Sequence, residues 1–122
     1  MKSKISKTSL TVAIAAMVVL AVAGSALAGG KAKTKVTIKE QSDGFYGYVK
    51  SGDKSCEISR IVVILKQKGG SPDPGHDKLI STDVAQANGG KYMWSISSNA
   101  KGRIYAYAPK ISGCKAGRSK SV

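Results

Sequence analysis

Side chains able to act as acids, bases or nucleophiles are few in this chain of 122 residues. The single histidine, His76, stands beside Asp77 in a loop rich in glycine and proline, so a Ser-His-Asp set would have to form around it. No strand-turn-helix serine elbow is present to supply the nucleophile. The seven carboxylates stand mostly near turns, where aspartate hydrogen-bonds its own backbone, and nothing marks two of them as a glycosidase pair. We therefore predict that the protein is not an enzyme and has no catalytic residue and no cofactor.

The only two cysteines are Cys56 and Cys114, and an even count in an exported chain favours a disulfide. The alternative is that both bind a metal ion, but the single His76 cannot complete a tetrahedral site with them. Closing a loop of about 58 residues would remove roughly 4 kcal/mol of unfolded-state entropy, which is comparable to the net stability of a small domain. We predict the disulfide and no metal site.

Tyrosines and basic residues alternate with small or apolar residues along two separate runs. They are Tyr46, Tyr48, Lys50, Arg103, Tyr105 and Tyr107. If both sets face solvent on neighbouring strands, they form a stacking platform with cations, which suits glycan rings or exposed bases. The alternative is that the tyrosines face the core, because the glycine and alanines between them would fill it poorly.

The first 28 residues have the order of a secretory signal peptide. Three lysines precede an apolar, alanine-rich run over residues 10–23, and the sequence Ala-Leu-Ala at residues 26–28 is a pattern that signal peptidase accepts. The alternative is an uncleaved anchor, since residues 10–28 are just long enough to span a bilayer. We predict a cleaved signal at residues 1–28. The mature protein is then secreted, extracellular or associated with the cell envelope, with no membrane span.

The formal net charge is +13, and loss of the three signal lysines leaves +10 on the rest of the chain. A net positive charge this large favours negatively charged partners, such as anionic cell-wall polymer, a membrane surface or nucleic acid. The alternative is that the charge only keeps a secreted protein soluble. Lys33, Lys35 and Lys39 fit a polyanion contact, but lysines also protect an edge strand from pairing with another molecule.

After the signal, short alternating or apolar runs recur between glycine, proline, asparagine and aspartate, and none has a sustained apolar period near 3.6. The apolar run at residues 61–65 predicts a buried central strand, with Arg60, Lys66 and Lys68 as flanking charged gatekeepers. We predict a flexible lead-in at residues 29–34. The rest, residues 35–122, is predicted to be an all-β domain, a monomeric β-sandwich of six to seven strands.

Three short stretches carry a resemblance to known proteins: Ser81-Thr82-Asp83, the turn Asn88-Gly89-Gly90, and the tyrosine-bearing stretch at residues 101–107. They resemble the prealbumin-like, immunoglobulin-like sandwiches that are related to carboxypeptidase regulatory domains. The Lys-Gln-Lys-Gly loop at residues 66–69 is similar to loops in small secreted bacterial proteins with two widely spaced cysteines. The resemblance implies a β-sandwich with a structural or binding role and carries over no catalytic residue.

These observations predict a secreted, non-enzymatic β-sandwich module that binds an anionic polysaccharide of the cell envelope, another glycan or another polyanion. A second hypothesis is that the partner is a protein. In that case the protein is a secreted effector or inhibitor whose loop at residues 67–77 inserts into its target.

Overall fold

The computed structural model of the protein describes residues 31–122. Within these residues the chain forms a short 3-10 helix, Lys54–Cys56, and nine strands. The strands are β1 Thr34–Val36, β2 Lys39–Gln41, β3 Gly44–Ser51, β4 Ile61–Lys66, β5 Lys78–Val84, β6 Gln86–Asn88, β7 Lys91–Ser97, β8 Ile104–Ala108 and β9 Gly117–Arg118.

The predicted signal peptide lies outside the described residues. The predicted lead-in at residues 29–34 is described from residue 31 onward. There the Ala32 N–H donates to the Gly113 carbonyl at 3.1 Å, and the Lys115 N–H donates to the Ala32 carbonyl at 2.8 Å. Strand β1 then begins at Thr34.

The named strands pair antiparallel in two sheets, which confirms the all-β class. The first sheet has the order β1-β3-β7-β6, with β2 also paired to β3, and the second has the order β5-β4-β8-β9. The strand count exceeds the predicted six to seven because one alternating run is divided into two strands and because the short strand β6 was not predicted. The divided run is interrupted at Thr37 and Ile38, between β1 and β2. Strand β6 follows β5 after Ala85, where the chain passes from the second sheet to the first.

The facing sides of the two sheets share one hydrophobic core. Alternation along β3, β4, β7 and β8 places every second side chain inside, as the period of a strand requires. The core residues are Val36, Ile38, Phe45, Val49, Val62, Ile64, Ala85, Trp94, Ile96, Ile104, Ala106 and Ala108.

The apolar run in β4 is buried only in part. Val62 and Ile64 lie in the core, and Leu65 is buried on the opposite side of the strand beside Tyr105. At the other end of β4, Ile61 is 53% exposed. The prediction of a central strand is confirmed, since β4 lies between β5 and β8, but its first residue, Ile61, is about half exposed.

Between β1 and β2, the carbonyl of Thr37 accepts a hydrogen bond from the indole Nε1 of the buried Trp94 at 3.1 Å. The Thr37 hydroxyl accepts a second bond, from the Tyr48 N–H, at 2.9 Å. A Cβ on Gly47 would overlap the Thr37 carbonyl and lie 2.9 Å from the indole nitrogen. Glycine at position 47 therefore leaves room for the Thr37 carbonyl to accept the hydrogen bond of the Trp94 indole, whose N–H is the only polar group of that side chain.

The predicted disulfide is confirmed. Cys56 and Cys114 are bonded with their Cα atoms 5.7 Å apart, and both are buried. Beside this bond, Arg60 is only 1% exposed, so it is not the solvent-facing gatekeeper that the sequence indicates. Its guanidinium donates to Cys56, four residues earlier in the chain, to Thr34 in β1, and to Pro109 and Lys115 in the connection between β8 and β9. These hydrogen bonds hold the side chain inside.

Candidate binding surface

The six candidate binding residues lie on opposite outer sides of the protein. In β3, Phe45 and Val49 occupy the core, so Tyr46 and Tyr48 face away from it. In β8, the core positions alternate with the tyrosines in the same way. Both sets therefore point outward, but β3 and β8 belong to different sheets. The single platform that neighbouring strands would have formed is not present.

On the second sheet, Tyr105 is fully buried. Its hydroxyl donates to Asp77 Oδ2 at 2.6 Å, beneath the loop at residues 67–77. Tyr107 is half-buried and Arg103 is exposed just before the strand. Because the Tyr105 ring has no exposed side, this set offers at most one aromatic ring to a ligand.

On the first sheet, Tyr46 and Tyr48 are both half-exposed, and their rings meet edge to face with centroids 6.4 Å apart. Four exposed lysines surround the two rings, and we call the six residues together the tyrosine-lysine face. The lysines are Lys35, Lys39, Lys50 and Lys91.

The register places each of these lysines beside a ring or beside another lysine. Lys39 stands directly opposite Tyr46 across β2 and β3, and the Lys91 ammonium lies 5.1 Å from the centroid of the Tyr48 ring. Lys35 stands directly opposite Lys50 across β1 and β3. Like charges in directly opposed positions destabilise a sheet.

No carboxylate neutralises this group of lysines. Among residues 31–122, the contacts between a basic nitrogen and a carboxylate oxygen within 4 Å are Lys54–Glu57 and His76–Asp73. An anion bound at the face would therefore relieve the repulsion between Lys35 and Lys50, while the tyrosine rings offer an apolar surface for stacking.

Sequence reasoning missed Lys91 as a member of the site. Its position beside the Gly89-Gly90 turn and the alternation of Tyr92, Trp94 and Ile96 indicate that Lys91 faces outward. That β7 lies next to β3, however, follows only from the sheet order.

The loop at residues 67–77 is held by the carboxylate of Asp77. Oδ1 accepts from the Lys68 N–H at 2.9 Å, and Oδ2 accepts from the Asp73 N–H at 2.7 Å as well as from the Tyr105 hydroxyl. The side chain of His76 contacts Asp73, at 2.9 Å, rather than Asp77. Asp77 therefore shapes the loop, and the hypothesis that this loop inserts into a protein partner stays a prediction.

The hydrogen bond from Tyr105, followed by the backbone N–H groups, lowers the pKa of Asp77 below its ordinary value of 3.8. A carboxylate with a lowered pKa stabilises the fold fully above its unfolded pKa, and the effect is lost as the pH falls through the lower, folded value. We expect the loop to stay closed at pH 4 and to open only at lower pH.

The backbone amide NMR shifts of Lys68 and Asp73 should report this titration, with a midpoint below pH 3.8. In the variant Tyr105→Phe, which lacks the largest cause of the shift, the midpoint should rise toward that ordinary value. A wild-type midpoint at or above 3.8 would contradict the assignment.

The described residues define a small antiparallel protein of two sheets with one internal disulfide. No protein-family model, curated protein or solved structure matches this chain. The resemblance to prealbumin-like sandwiches stays a prediction. Within residues 31–122, no helix has the length and apolar character needed to cross a membrane.

Proposed function

We propose that the protein is a secreted, non-enzymatic β-sandwich module that binds an anionic polymer or glycan of the cell envelope through its tyrosine-lysine face. The observation that carries this proposal is the placement of Lys35 directly opposite Lys50, beside two half-exposed tyrosines and without a carboxylate partner. The net charge of +10 beyond the predicted signal gives the whole domain the sign that such a ligand requires.

The chemistry of the face suits a chain that carries both rings and negative charges. Tyr46 and Tyr48 offer their exposed edges and faces to sugar rings, while the surrounding ammonium groups pair with phosphate, sulfate or carboxylate groups along the polymer.

Secretion is supported by the signal-like order of residues 1–28 and by the disulfide, which forms and persists in oxidising compartments.

The experiment measures binding of the exported, processed protein to anionic cell-wall polysaccharide and to heparin over a range of salt concentrations. Because cationic contacts release the counterions of a polyanion, the logarithm of the affinity should fall linearly with the logarithm of salt concentration. We expect the double variant Tyr46→Ala, Tyr48→Ala to bind about tenfold or more weakly, from the loss of two stacking contacts.

The double variant Lys50→Gln, Lys91→Gln should reduce the salt slope by about 1.5, which is close to the contribution of two cations. The matched control is Lys101→Gln, Lys110→Gln, which removes the same charge from exposed positions in loops off the face and should bind almost as wild type. Equal losses in both variants would show that net charge alone drives binding. The absence of binding at every salt concentration would leave solubility as the role of the charge.

A further inference from the structure

Two rows of cations stand on either side of the boundary where the edge of the first sheet meets the last strand of the second. The rows are Lys33, Lys35 and Lys39 on the first side, and Arg118 and Lys120 on the second. All five side chains are exposed, and in each row they alternate with buried or half-buried residues. Alternate residues of an extended chain are about 7 Å apart, so each row presents closely spaced positive charges.

The two rows face each other because β9 packs closely against β1. A Cβ on Gly117 would overlap the Thr34 carbonyl, so glycine at position 117 leaves room for this approach. Between the rows lie two cavities, of about 440 and 450 Å³, which share Lys35 and Arg118 and together form one groove. The charged residues that line the groove are Lys33, Lys35, Lys39, Lys50, Arg118 and Lys120.

The groove attracts anions because its cations are not neutralised. Among residues 31–122, no carboxylate lines either cavity, and neither contact between a basic nitrogen and a carboxylate involves these six cations. Lys35 stands directly opposite Lys50, so their charges repel. The Nη1 of Arg118 donates to the Ser119 carbonyl at 3.2 Å, which uses one of the five N–H donors of the guanidinium.

The groove offers charge but neither apolar nor aromatic surface. Val36 and Ile38 line one cavity, but they are only 4% and 6% exposed because they belong to the core. Of the described residues, no aromatic one lines either cavity. Sugar rings and nucleic-acid bases therefore have nothing to stack on in the groove, in contrast to the tyrosine-lysine face. The groove suits the charged backbone of a polymer.

Cations on both sides favour a phosphate within the backbone over an acid group that hangs from a ring. A phosphodiester has two non-bridging oxygens that point to opposite sides of the chain, so one phosphate can pair with a cation of each row. A carboxylate or sulfate on a sugar ring reaches one side only and leaves the opposite row unpaired. The planar guanidinium of Arg118 also suits phosphate, since two of its N–H groups can donate to two oxygens at once.

We propose that the polymer bound by this protein is a linear chain of sugar or polyol units linked by phosphodiesters, with its backbone phosphates in the groove between Lys35 and Arg118. The inference rests on the proposed binding of an anionic polymer and names phosphate as its charged group. Three lysines of the tyrosine-lysine face also line the groove, so the two surfaces are continuous. One polymer can therefore extend from the groove to the rings of Tyr46 and Tyr48.

The test titrates the exported, processed protein with poly(glycerol phosphate), a phosphodiester chain that has no rings and therefore probes the groove alone. We expect it to bind at least tenfold more tightly than monomeric glycerol phosphate, because linked phosphates bind several cations at once. At equal charge concentration it should also bind at least threefold more tightly than polygalacturonate, whose carboxylates hang from sugar rings. The largest amide NMR shifts should occur at Lys33, Lys35 and Arg118.

The double variant Arg118→Gln, Lys120→Gln should weaken the binding of poly(glycerol phosphate) about tenfold and lower its salt slope by about 1.5. The matched control is again Lys101→Gln, Lys110→Gln, which removes the same charge outside the groove and should bind almost as wild type. The variant Tyr46→Ala, Tyr48→Ala should leave the binding of this ringless polymer unchanged while weakening that of polysaccharide.

The inference is overturned if poly(glycerol phosphate) binds no better than polygalacturonate, or if the groove variant and the control lose affinity equally. Polysaccharide binding that depends on Tyr46 and Tyr48 would then still support the proposed function, whereas failure of every polyanion to bind would remove both proposals. Tighter binding of oligothymidylate at equal charge would overturn the inference in favour of a nucleic acid. A groove variant that binds normally but self-associates would overturn it too, and would assign these cations to protection of the edge strand.

Discussion

Replacing Arg60 by methionine is expected to lower the free energy of unfolding by about 3–5 kcal/mol. Nη1 donates to the Cys56 carbonyl at 2.9 Å and to the Thr34 hydroxyl at 3.0 Å. Nη2 donates to the carbonyls of Pro109, at 3.0 Å, and Lys115, at 2.9 Å. The side chain therefore donates to four acceptors in three parts of the chain, namely the segment at Cys56, strand β1 and the connection between β8 and β9.

Two effects oppose each other in this substitution. Burial without a carboxylate disfavours the charged form and lowers the pKa of Arg60, so removing the cation relieves a desolvation cost. Against this, methionine leaves the buried Cys56 carbonyl and three partly buried acceptors without their donors, and an unsatisfied buried polar group costs about 1–3 kcal/mol. The summed cost of the unsatisfied acceptors exceeds the desolvation cost that the substitution relieves, so we expect a net loss of stability.

Urea denaturation followed by circular dichroism would measure this loss. The control is Arg103→Met, because Arg103 is exposed and its replacement should change stability by no more than about 0.5 kcal/mol. A methionine variant of Arg60 as stable as wild type would show that relief of desolvation balances the lost hydrogen bonds. The variant Arg60→Lys, which keeps the charge but has one nitrogen, should recover only part of the loss.

Removing the disulfide by the double substitution Cys56→Ala, Cys114→Ala is expected to lower the free energy of unfolding by about 4 kcal/mol. The bond closes a loop of 58 residues, and its loss restores the entropy of that loop to the unfolded chain. For a domain of about 90 residues this is a large share of a net stability of roughly 5–15 kcal/mol.

The measurement compares urea midpoints of the oxidised wild type and the alanine variant at equal protein concentration. Alanine is chosen because both cysteines are buried, so that a serine hydroxyl would add a desolvation cost of its own. A loss below about 1 kcal/mol would be inconsistent with the loop-entropy account. The disulfide and Arg60 fasten the same loops, around Cys56 and residues 109–115, so their contributions are not independent.

Local alternation in the sequence determined which side chains of a strand share a side, but it left open whether the tyrosines or the residues between them face the core. It correctly placed Phe45 and Val49 opposite Tyr46 and Tyr48, because successive side chains of a strand point to opposite sides whatever the strand pairs with. The cysteine count similarly left one internal partner for Cys56.

Only the tertiary structure decided which strands are neighbours. Alternation carries no information about pairing between distant segments, so the sequence could not show that Tyr105 is separated from Tyr46 by the whole core, or that Lys91 joins Tyr48. Arg60 is the clearest case. In sequence it resembles a charged flank of an apolar strand, but carbonyls up to 55 residues away converge on it, and the hydrogen bonds it donates to them hold it inside.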